Sequence, residues 1–221
     1  MVKNGLMTPI RRLRRLRRRE LPVSTVKLAR YLIGKTLVRE LPEGQLMGRI
    51  VETEAYLTGD AAAHTFRGPT PRNRSLYLER GHAYVYFTYG NHFMLNVSGG
   101  HDGVGEGILI RAVEPIAGIE LMEDHRRNKN LKDLARGPGR LASAFRIDKQ
   151  QDGIDLTAHE SLWLGTALRP AREIGKSVRI GITKEIHRPL RFFEKGSEFV
   201  SGPKRLAART RRVTPRGRKR S

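Results

Sequence analysis

The sequence contains no cysteine, which excludes a disulfide framework, a thiolate metal site and the zinc deaminases, whose Pro-Cys-x-x-Cys segment supplies zinc ligands. No apolar run is long enough to span a bilayer, and no charged-then-apolar secretory leader is present. The seven histidines do not show the His-Glu-x-x-His spacing of zinc proteases. We therefore expect an intracellular protein with no cofactor, no bound metal and no membrane partner.

Acidic residues are scarce relative to basic ones, since 22 Asp and Glu face 43 Lys and Arg, for a formal net charge of +21. The excess is concentrated at the ends: residues 1–20 hold eight basic residues and one acid, and residues 201–221 hold nine basic residues and no acid. Terminal blocks of like charge are typical of arms that bind polyanions. We interpret residues 1–21 and 204–221 as disordered basic tails that contact phosphates, with idle, solvated tails as the alternative.

The apolar pattern predicts one α+β domain over residues 22–203, with a mixed or antiparallel β-sheet core and packed helices. The predicted strands cover residues 36–41, 45–56, 83–89, 92–98, 107–113, 161–165, 177–183 and 191–193. The predicted helices run from Ser24 to about Ile33, from Pro115 to about Arg127, and from Gly137-Pro138-Gly139 through Phe145. No internal repeat and no βαβ alternation interrupts this pattern.

One region combines aromatic rings with carboxylates. Five of the six tyrosines fall within residues 56–89. Period-two alternation in the second predicted strand puts Ile50, Glu52, Glu54 and Tyr56 on one face, so a carboxylate lies beside an aromatic ring. Val51, Thr53 and Ala55 are predicted on the opposite face. The aromatic strand at 83–89 is first of all typical of a packed core, and a stacking surface for a nucleobase is the functional alternative.

Arginine supplies every basic side chain other than histidine between Lys35 and Lys129. Arg67, Arg72 and Arg74 lie in or beside a predicted polar loop. A guanidinium suits bidentate contact with a phosphate, although surface solvation explains each of these arginines equally well when taken singly.

A series of motifs runs in a fixed order along residues 22–203. They are Val51-Glu52-Thr53-Glu54-Ala55-Tyr56-Leu57, Ala62-Ala63-His64, Thr70-Pro71-Arg72-Asn73-Arg74, Tyr84-Val85-Tyr86-Phe87-Thr88-Tyr89-Gly90, Met94-Leu95-Asn96-Val97-Ser98, Leu109-Ile110-Arg111-Ala112-Val113-Glu114-Pro115, Gly137-Pro138-Gly139-Arg140-Leu141, Arg179-Ile180-Gly181-Ile182 and Arg188-Pro189-Leu190-Arg191-Phe192. In this order the motifs resemble the alkyladenine (3-methyladenine) DNA glycosylase family. So many ordered matches are far more specific than any single motif.

The resemblance implies an activity and a partner. It implies a base-excision-repair enzyme that acts on double-stranded DNA containing an alkylated or deaminated purine. The enzyme would flip the purine out of the duplex and hydrolyse its N-glycosidic bond, which leaves an abasic site. We expect a monomer that works where DNA is held, in a bacterial cytoplasm or nucleoid or in a nucleus.

The resemblance also implies roles for individual residues. Glu54 would be the general base that activates a water, and Arg111 would hold that water or the adjacent backbone; Glu52, on the same face, is the alternative base. The extruded purine would lie among groups that stack on it or limit its shape: Tyr56, His64, Tyr86, Asn96 and the backbone at Ile182. Tyr89 would intercalate into the duplex, while Arg67, Arg72 and Arg74 would contact its backbone.

Two alternatives and one mechanistic point follow from the same residues. A non-catalytic protein that binds damaged DNA, or a module that binds single-stranded RNA, could use the same aromatic pocket and basic tails. Lyase chemistry begins with attack by an amine and formation of a Schiff base. Because no lysine accompanies the aromatic cluster in the sequence, we predict a glycosylase without lyase activity.

Overall fold

A computed structural model describes residues 12–88 and 90–203. Eight strands form one sheet whose strand pairs are all antiparallel. The strands are β1 (Thr36–Leu41), β2 (Gly44–Tyr56), β3 (Ala83–Thr88), β4 (His92–Ser98), β5 (Gly107–Ala117), β6 (Leu162–Gly165), β7 (Ile174–Ser177) and β8 (Arg191–Glu194). They run in the order β3-β4-β5-β2-β1-β6, and β8 pairs with both β2 and β7. The predicted α+β class is confirmed.

Three α-helices pack on this sheet: α1 (Thr25–Leu32), α2 (Ile119–Arg126) and α3 (Pro138–Ala144). Short 3-10 turns occupy Arg18–Glu20, Arg74–Tyr77, Leu131–Asp133 and Lys149–Gln151. Helix α1 begins where predicted, because the Ser24 side chain accepts a hydrogen bond from the Lys27 amide. Its apolar stripe is buried in the main core. None of the helices in the described ranges is long and apolar enough to cross a membrane.

The centre of the sheet carries two compensating irregularities. Along the β2–β5 pair, Ile50 lies opposite Val113, Glu52 opposite Ala112 and Thr53 opposite Ile110, so one residue of each strand, Val51 and Arg111, has no direct partner. Such bulges bend a strand and re-aim its side chains. The two irregularities lie in the segments that carry Glu52, Glu54 and Arg111.

The simple alternation predicted for β2 therefore holds only beyond the irregularity. Ile50 was predicted on the face of Glu52 and Glu54, but it belongs to the main core together with Ala55. Val51, predicted on the opposite face, packs in a second apolar cluster with Phe193. The extra residue explains the exchange, because a shift of one residue moves a side chain to the other face.

Two predicted elements are wrong in their limits. Pro115 does not start a helix: it lies in β5 opposite Gly48, at another register shift, and α2 starts only after Gly118. A strand tolerates proline at such an irregularity, where a ladder hydrogen bond is already missing. The strand predicted at 177–183 ends at Ser177, because the following backbone bonds to side chains of β2 and β5 instead of to a neighbouring strand.

The predicted N-terminal tail of residues 1–21 is wrong for residues 12–21. Leu16 and Leu21 are buried, the Leu16 amide donates to the Leu164 carbonyl at 2.8 Å, and Arg18 pairs with Asp155 at 2.5 Å. This segment covers the edge strand β6, which would otherwise present unpaired backbone groups. Residues 1–11 and the tail predicted at 204–221 lie outside the described residues.

Candidate active site

A cavity of about 530 Å³ opens beside the C-terminal half of β2. Its volume lies within the range of roughly 300–1,000 Å³ that is usual for sites that bind small molecules. The walls come from four parts of the chain: the end of β2, the loop after it, the strands β3 to β5, and the segment between β7 and β8. Its lining residues include four with aromatic rings and one with a side-chain amide: Tyr56, His64, Tyr84, Tyr86 and Asn96.

One wall is built from three rings. Tyr84 and Tyr86 are two residues apart on β3, so both face the cavity, and their rings are stacked with centroids 5.3 Å apart. The His64 ring meets Tyr86 at 4.4 Å, and His64 Nδ1 is 2.9 Å from the Tyr84 hydroxyl. Desolvation and the nearby Arg72 guanidinium lower the pKa of His64, which keeps the imidazole neutral at physiological pH.

The Glu54 carboxylate lies behind the part of the wall formed by Tyr56, Arg111 and Ile180. Its side chain is fully buried and does not line the cavity itself, but all three of its hydrogen-bond donors belong to lining residues. Oε1 accepts from the Ile180 amide at 2.8 Å, while Oε2 accepts from the Tyr56 hydroxyl at 3.0 Å and from Arg111 Nη1 at 3.2 Å. Two carboxylate oxygens accept about four hydrogen bonds, so one position remains for a further donor.

The environment of Glu54 pushes its protonation in two directions. Burial raises the pKa of Glu54 above its ordinary value, although Arg111, the Ile180 amide and the Tyr56 hydroxyl each oppose that rise. Burial and the neighbouring carboxylate also raise the pKa of Tyr56, so its phenol stays protonated and donates. Titratable groups with strongly shifted pKa values beside a cavity are typical of catalytic sites.

Glu52 lies two residues earlier on the same strand but faces a closed interior. Arg111 Nε donates to its Oε1 at 3.0 Å, Arg191 Nε donates to the same oxygen at 2.6 Å, and the Ser201 amide donates to its Oε2 at 2.6 Å. Glu52 and its partner Arg191 are fully buried, and neither lines the cavity. Arg111 therefore connects an enclosed carboxylate to one that stands against the cavity.

Comparisons with known proteins agree with this geometry. The family model described as "Methylpurine-DNA glycosylase (MPG)" matches residues 19–198. The chain belongs to the methylpurine-DNA glycosylase family. Its membership confirms the resemblance drawn from the motifs, and it makes the chain a DNA glycosylase of DNA repair with DNA as its substrate class.

Curated relatives of this glycosylase cover most of its length. A protein of Mesorhizobium japonicum is 62% identical over 189 residues, which are 86% of this chain and 91% of the relative. A protein of Paraburkholderia phytofirmans is 53% identical over 191 residues, 86% of this chain and 90% of the relative. A Koribacter versatilis protein is 48% identical over 184 residues, 81% and 89% of the two chains. All three carry the name "Putative 3-methyladenine DNA glycosylase".

The structure of the glycosylase brings together most of the residues singled out in the sequence. Tyr56, His64, Tyr86, Asn96, Ile182 and Arg111 all line the cavity, with Glu54 directly behind them. The Asn96 amide donates to the Tyr84 carbonyl at 3.3 Å, which fixes it in the wall between β3 and β4. Gly181 has a φ of 77° and lets the backbone turn between Ile180, which bonds to Glu54, and Ile182.

Of the three arginines predicted to contact DNA, Arg72 borders the ring wall of the site. Arg67, Arg72 and Arg74 are exposed, but Arg72 also donates to the Phe87 carbonyl at 3.0 Å and lies 5.9 Å from the Tyr86 ring centre. It therefore braces the ring wall in addition to facing solvent. Tyr89 lies outside the described residues; Thr88, which precedes it, lines the cavity.

One cavity residue that the sequence did not predict is a lysine. Lys184 lines the cavity, which corrects the expectation that no lysine accompanies the aromatic cluster. Lys184 is far from the aromatic cluster in the sequence, and it directly follows the strand predicted at 177–183, so the sequence did not indicate that it lies beside the cluster. In residues 12–88 and 90–203, no group of three or more His, Asp or Glu side chains is arranged to hold a metal ion.

Proposed function

We propose that this glycosylase removes alkylated purines, 3-methyladenine among them, by flipping the nucleotide into the cavity and hydrolysing the N-glycosidic bond with a water activated by Glu54. The observation that carries the proposal is the buried Glu54 carboxylate, held by Tyr56, Arg111 and the Ile180 amide immediately behind a cavity walled by aromatic rings. The names of the relatives support the same substrate class.

The hydrolytic step needs one carboxylate. Glu54 takes a proton from water as the oxygen forms a bond to the sugar carbon C1′, and the C1′–N bond breaks with its electrons passing to the purine. An N-alkylated purine carries a positive charge and leaves as a neutral molecule, so no second acid is required, in contrast to sugar hydrolases. Arg111 bridges Glu54 and the Ile180 carbonyl, which keeps the carboxylate and its surrounding backbone in register.

Selection of the lesion would come from the ring wall. Stacking on an aromatic ring is worth about 1–3 kcal/mol per base, and the electron-rich faces of Tyr56 and Tyr86 favour a cationic purine further. A neutral His64 adds no repelling charge to this wall. Asn96, fixed through its bond to Tyr84, would oppose the exocyclic amine of guanine and so limit attack on normal bases.

Binding of double-stranded DNA would involve the outer residues. Tyr89 follows the cavity residue Thr88 directly and would fill the gap left in the duplex, while the exposed Arg67, Arg72 and Arg74 contact phosphates. The basic stretch at 204–221 would add affinity that depends on salt. A monomer suffices for this arrangement, because every catalytic group named here comes from one chain.

Glu54→Gln tests the proposal. Glutamine keeps the shape of the side chain, but its NH2 group cannot accept a hydrogen bond or take the proton, so single-turnover release of an N-alkylated purine from a duplex should fall by about 10²–10⁴-fold, with lesion binding retained. The measurement is release of free purine. Wild-type protein that binds the lesion duplex and releases no purine would identify a non-catalytic binder, and preference for RNA in competition at fixed salt would identify an RNA-binding module.

Lys184 calls for a separate test of the predicted lack of lyase activity. Its ammonium lies on an exposed residue at the cavity wall, whereas amines that form Schiff bases are usually desolvated or placed next to another cation. We expect borohydride to trap no covalent complex with lesion DNA, and Lys184→Gln to release purine at the wild-type rate. A trapped complex that disappears in Lys184→Gln would establish a lyase.

A further inference from the structure

Asp60 and Arg179 form a fully buried ion pair next to the cavity. Arg179 donates from Nη1 and Nη2 to the two carboxylate oxygens of Asp60 at 2.5 and 3.0 Å. Burial alone would raise the pKa of Asp60, but hydrogen bonds from Arg179 and the Ala62 amide hold it below its ordinary value. Both groups are therefore charged. A buried pair is often no more stabilising than apolar side chains of the same size, so stability alone is a weak reason for it.

Arg179 contacts the Tyr56 wall from behind. Its guanidinium carbon lies 4.5 Å from the centre of the Tyr56 ring, close enough for a cation–π interaction. Arg179 Nη1 also donates to the Ala55 carbonyl at 3.1 Å, which ties the guanidinium to the end of β2. The face and tilt of Tyr56 are thus set by a side chain that does not itself line the cavity.

The same residue places a donor on Glu54. Arg179 directly precedes Ile180, whose amide donates to Glu54 Oε1 at 2.8 Å. The segment between β7 and β8 has no strand partners at this point, so the Asp60–Arg179 pair anchors it to the loop after β2. On that loop, Asp60 Oδ1 also accepts from the Ala62 amide at 3.0 Å, and Ala62 lines the cavity.

We propose that Asp60 and Arg179 are positioning residues for hydrolysis, which hold the Tyr56 ring against the cavity and the Ile180 amide on the Glu54 carboxylate. The link to hydrolysis rests on the proposed function. The effect on Glu54 does not, because it concerns a hydrogen bond within the protein.

Arg179→Met breaks the arrangement with a side chain of similar length. Without the ion pair, the segment at 178–184 keeps, within the described part of the chain, only the 3.4 Å hydrogen bond from Arg111 to the Ile180 carbonyl as an anchor near Glu54, and we expect the Ile180 amide to withdraw from Glu54. That amide is one of the groups that oppose the rise in the pKa of Glu54, so its loss should raise the pKa further. Asp60→Asn weakens the same pair from the other side and should act in the same direction.

A second buried pair provides a matched control. Arg49 and Glu194 form a bidentate pair whose side chains are each 1% exposed, and Arg49 Nη2 donates to Glu194 Oε1 at 2.7 Å. Neither residue lines the cavity or contacts Glu54. Arg49→Met should lower the free energy of unfolding about as much as Arg179→Met does, and it should leave the titration of Glu54 unchanged.

The experiment is a ¹³C NMR titration of the Glu54 carboxyl, assigned from the resonance missing in Glu54→Gln, with single-turnover purine release on the same samples. We expect Arg179→Met and Asp60→Asn to shift the midpoint upward and to slow release at neutral pH by about tenfold, with Arg179→Lys intermediate. A wild-type midpoint in the folded Arg179→Met and Asp60→Asn proteins would overturn the inference, as would an equal shift in Arg49→Met. Failure of wild-type protein to release purine would instead refute the proposed function, and the titration would still decide the positioning role.

Discussion

Glu52 and Glu54 are the same kind of residue on the same strand, but they differ in the groups that surround their carboxylates. Both are fully buried and both bond to Arg111. Glu52 has a second arginine, Arg191, and the Ser201 amide as further partners inside the protein. Glu54 instead has the Tyr56 hydroxyl and the Ile180 amide, and its donors are the residues that line the cavity.

The comparison shows that position on a strand does not decide which carboxylate can act as a base. The Arg191 side chain and the backbone at Ser201 cover Glu52, and Arg191 supplies it with positive charge. Glu54 lies next to the cavity. The effect of burial on its pKa is only partly offset by Arg111, the Ile180 amide and the Tyr56 hydroxyl, so its pKa is raised. A base needs a lone pair within reach of water and a pKa brought toward working pH. We propose Glu54 as the base because its hydrogen-bond donors line the cavity and its pKa is raised.

The largest expected effect is on stability, and it should fall on Glu52. Glu52→Gln leaves Arg111 and Arg191 facing a neutral amide in the interior, and breaking a buried pair from one side costs about 3–5 kcal/mol. Glu54→Gln should cost about 1 kcal/mol or less, because the ionised carboxylate is itself disfavoured by burial. Urea unfolding at neutral pH measures both. Equal losses in the two variants would mean that the enclosed and cavity-side carboxylates do not differ as described.

The same stability measurement has a pH dependence with a definite sign. A carboxyl whose pKa is raised in the folded state contributes stability below its unfolded pKa and loses it as the pH rises through the folded value. Relative to Glu54→Gln, wild-type protein should therefore be more stable at low pH than at pH 8. A difference that grows with pH would indicate a lowered pKa and contradict the assignment.

The next effect is on the pH profile of catalysis. In the proposed mechanism Glu54 acts as the ionised base, so purine release from a permanently cationic lesion should fall as the pH drops through the raised pKa, with a midpoint above the ordinary 4.5. Arg111→Met removes a charge that opposes the rise, so the midpoint should move to still higher pH, whereas Arg111→Lys keeps the charge and should move it less. The measurement is the single-turnover rate between about pH 4 and pH 9, a range that covers the ordinary pKa values of Glu and His. If Arg111→Met had the same midpoint as the wild-type protein, Arg111 would have no electrostatic effect on Glu54.

Local patterns predicted much of the fold and the wall of the site. Helix α1 follows from its capping residue and the strands β1 to β4 follow from apolar alternation, both of which act over a few residues. Motif order then indicated Glu54 over Glu52, a choice that alternation could not make because it puts both on one face.

Long-range contacts could not be predicted in the same way. Asp60 and Arg179 are 119 residues apart in sequence, and nothing local to either residue reveals the pair. The unpartnered Val51 and Arg111 depend on how two distant strands align, and Lys184 reaches the cavity only because the backbone after β7 leaves the sheet. These features arise from tertiary packing, which overrides periodicity.

The smallest expected effect comes from loss of the Tyr56 hydroxyl. This hydroxyl is a hydrogen-bond donor that Glu54 has and Glu52 lacks, so its removal sharpens the comparison. Tyr56→Phe keeps the ring that would stack on the purine and deletes a single 3.0 Å hydrogen bond to Glu54. A hydrogen bond to a charged group contributes about 1.5–3 kcal/mol at most, and the bonds from Arg111 and Ile180 remain, so we expect release at neutral pH to slow by about tenfold or less, with unchanged lesion affinity. Tyr56→Leu, which also removes the ring, should weaken lesion affinity as well. If Tyr56→Phe lost affinity as much as Tyr56→Leu does, the hydroxyl would be acting on the bound base, and the pairing of Tyr56 with Glu54 would not be its main role.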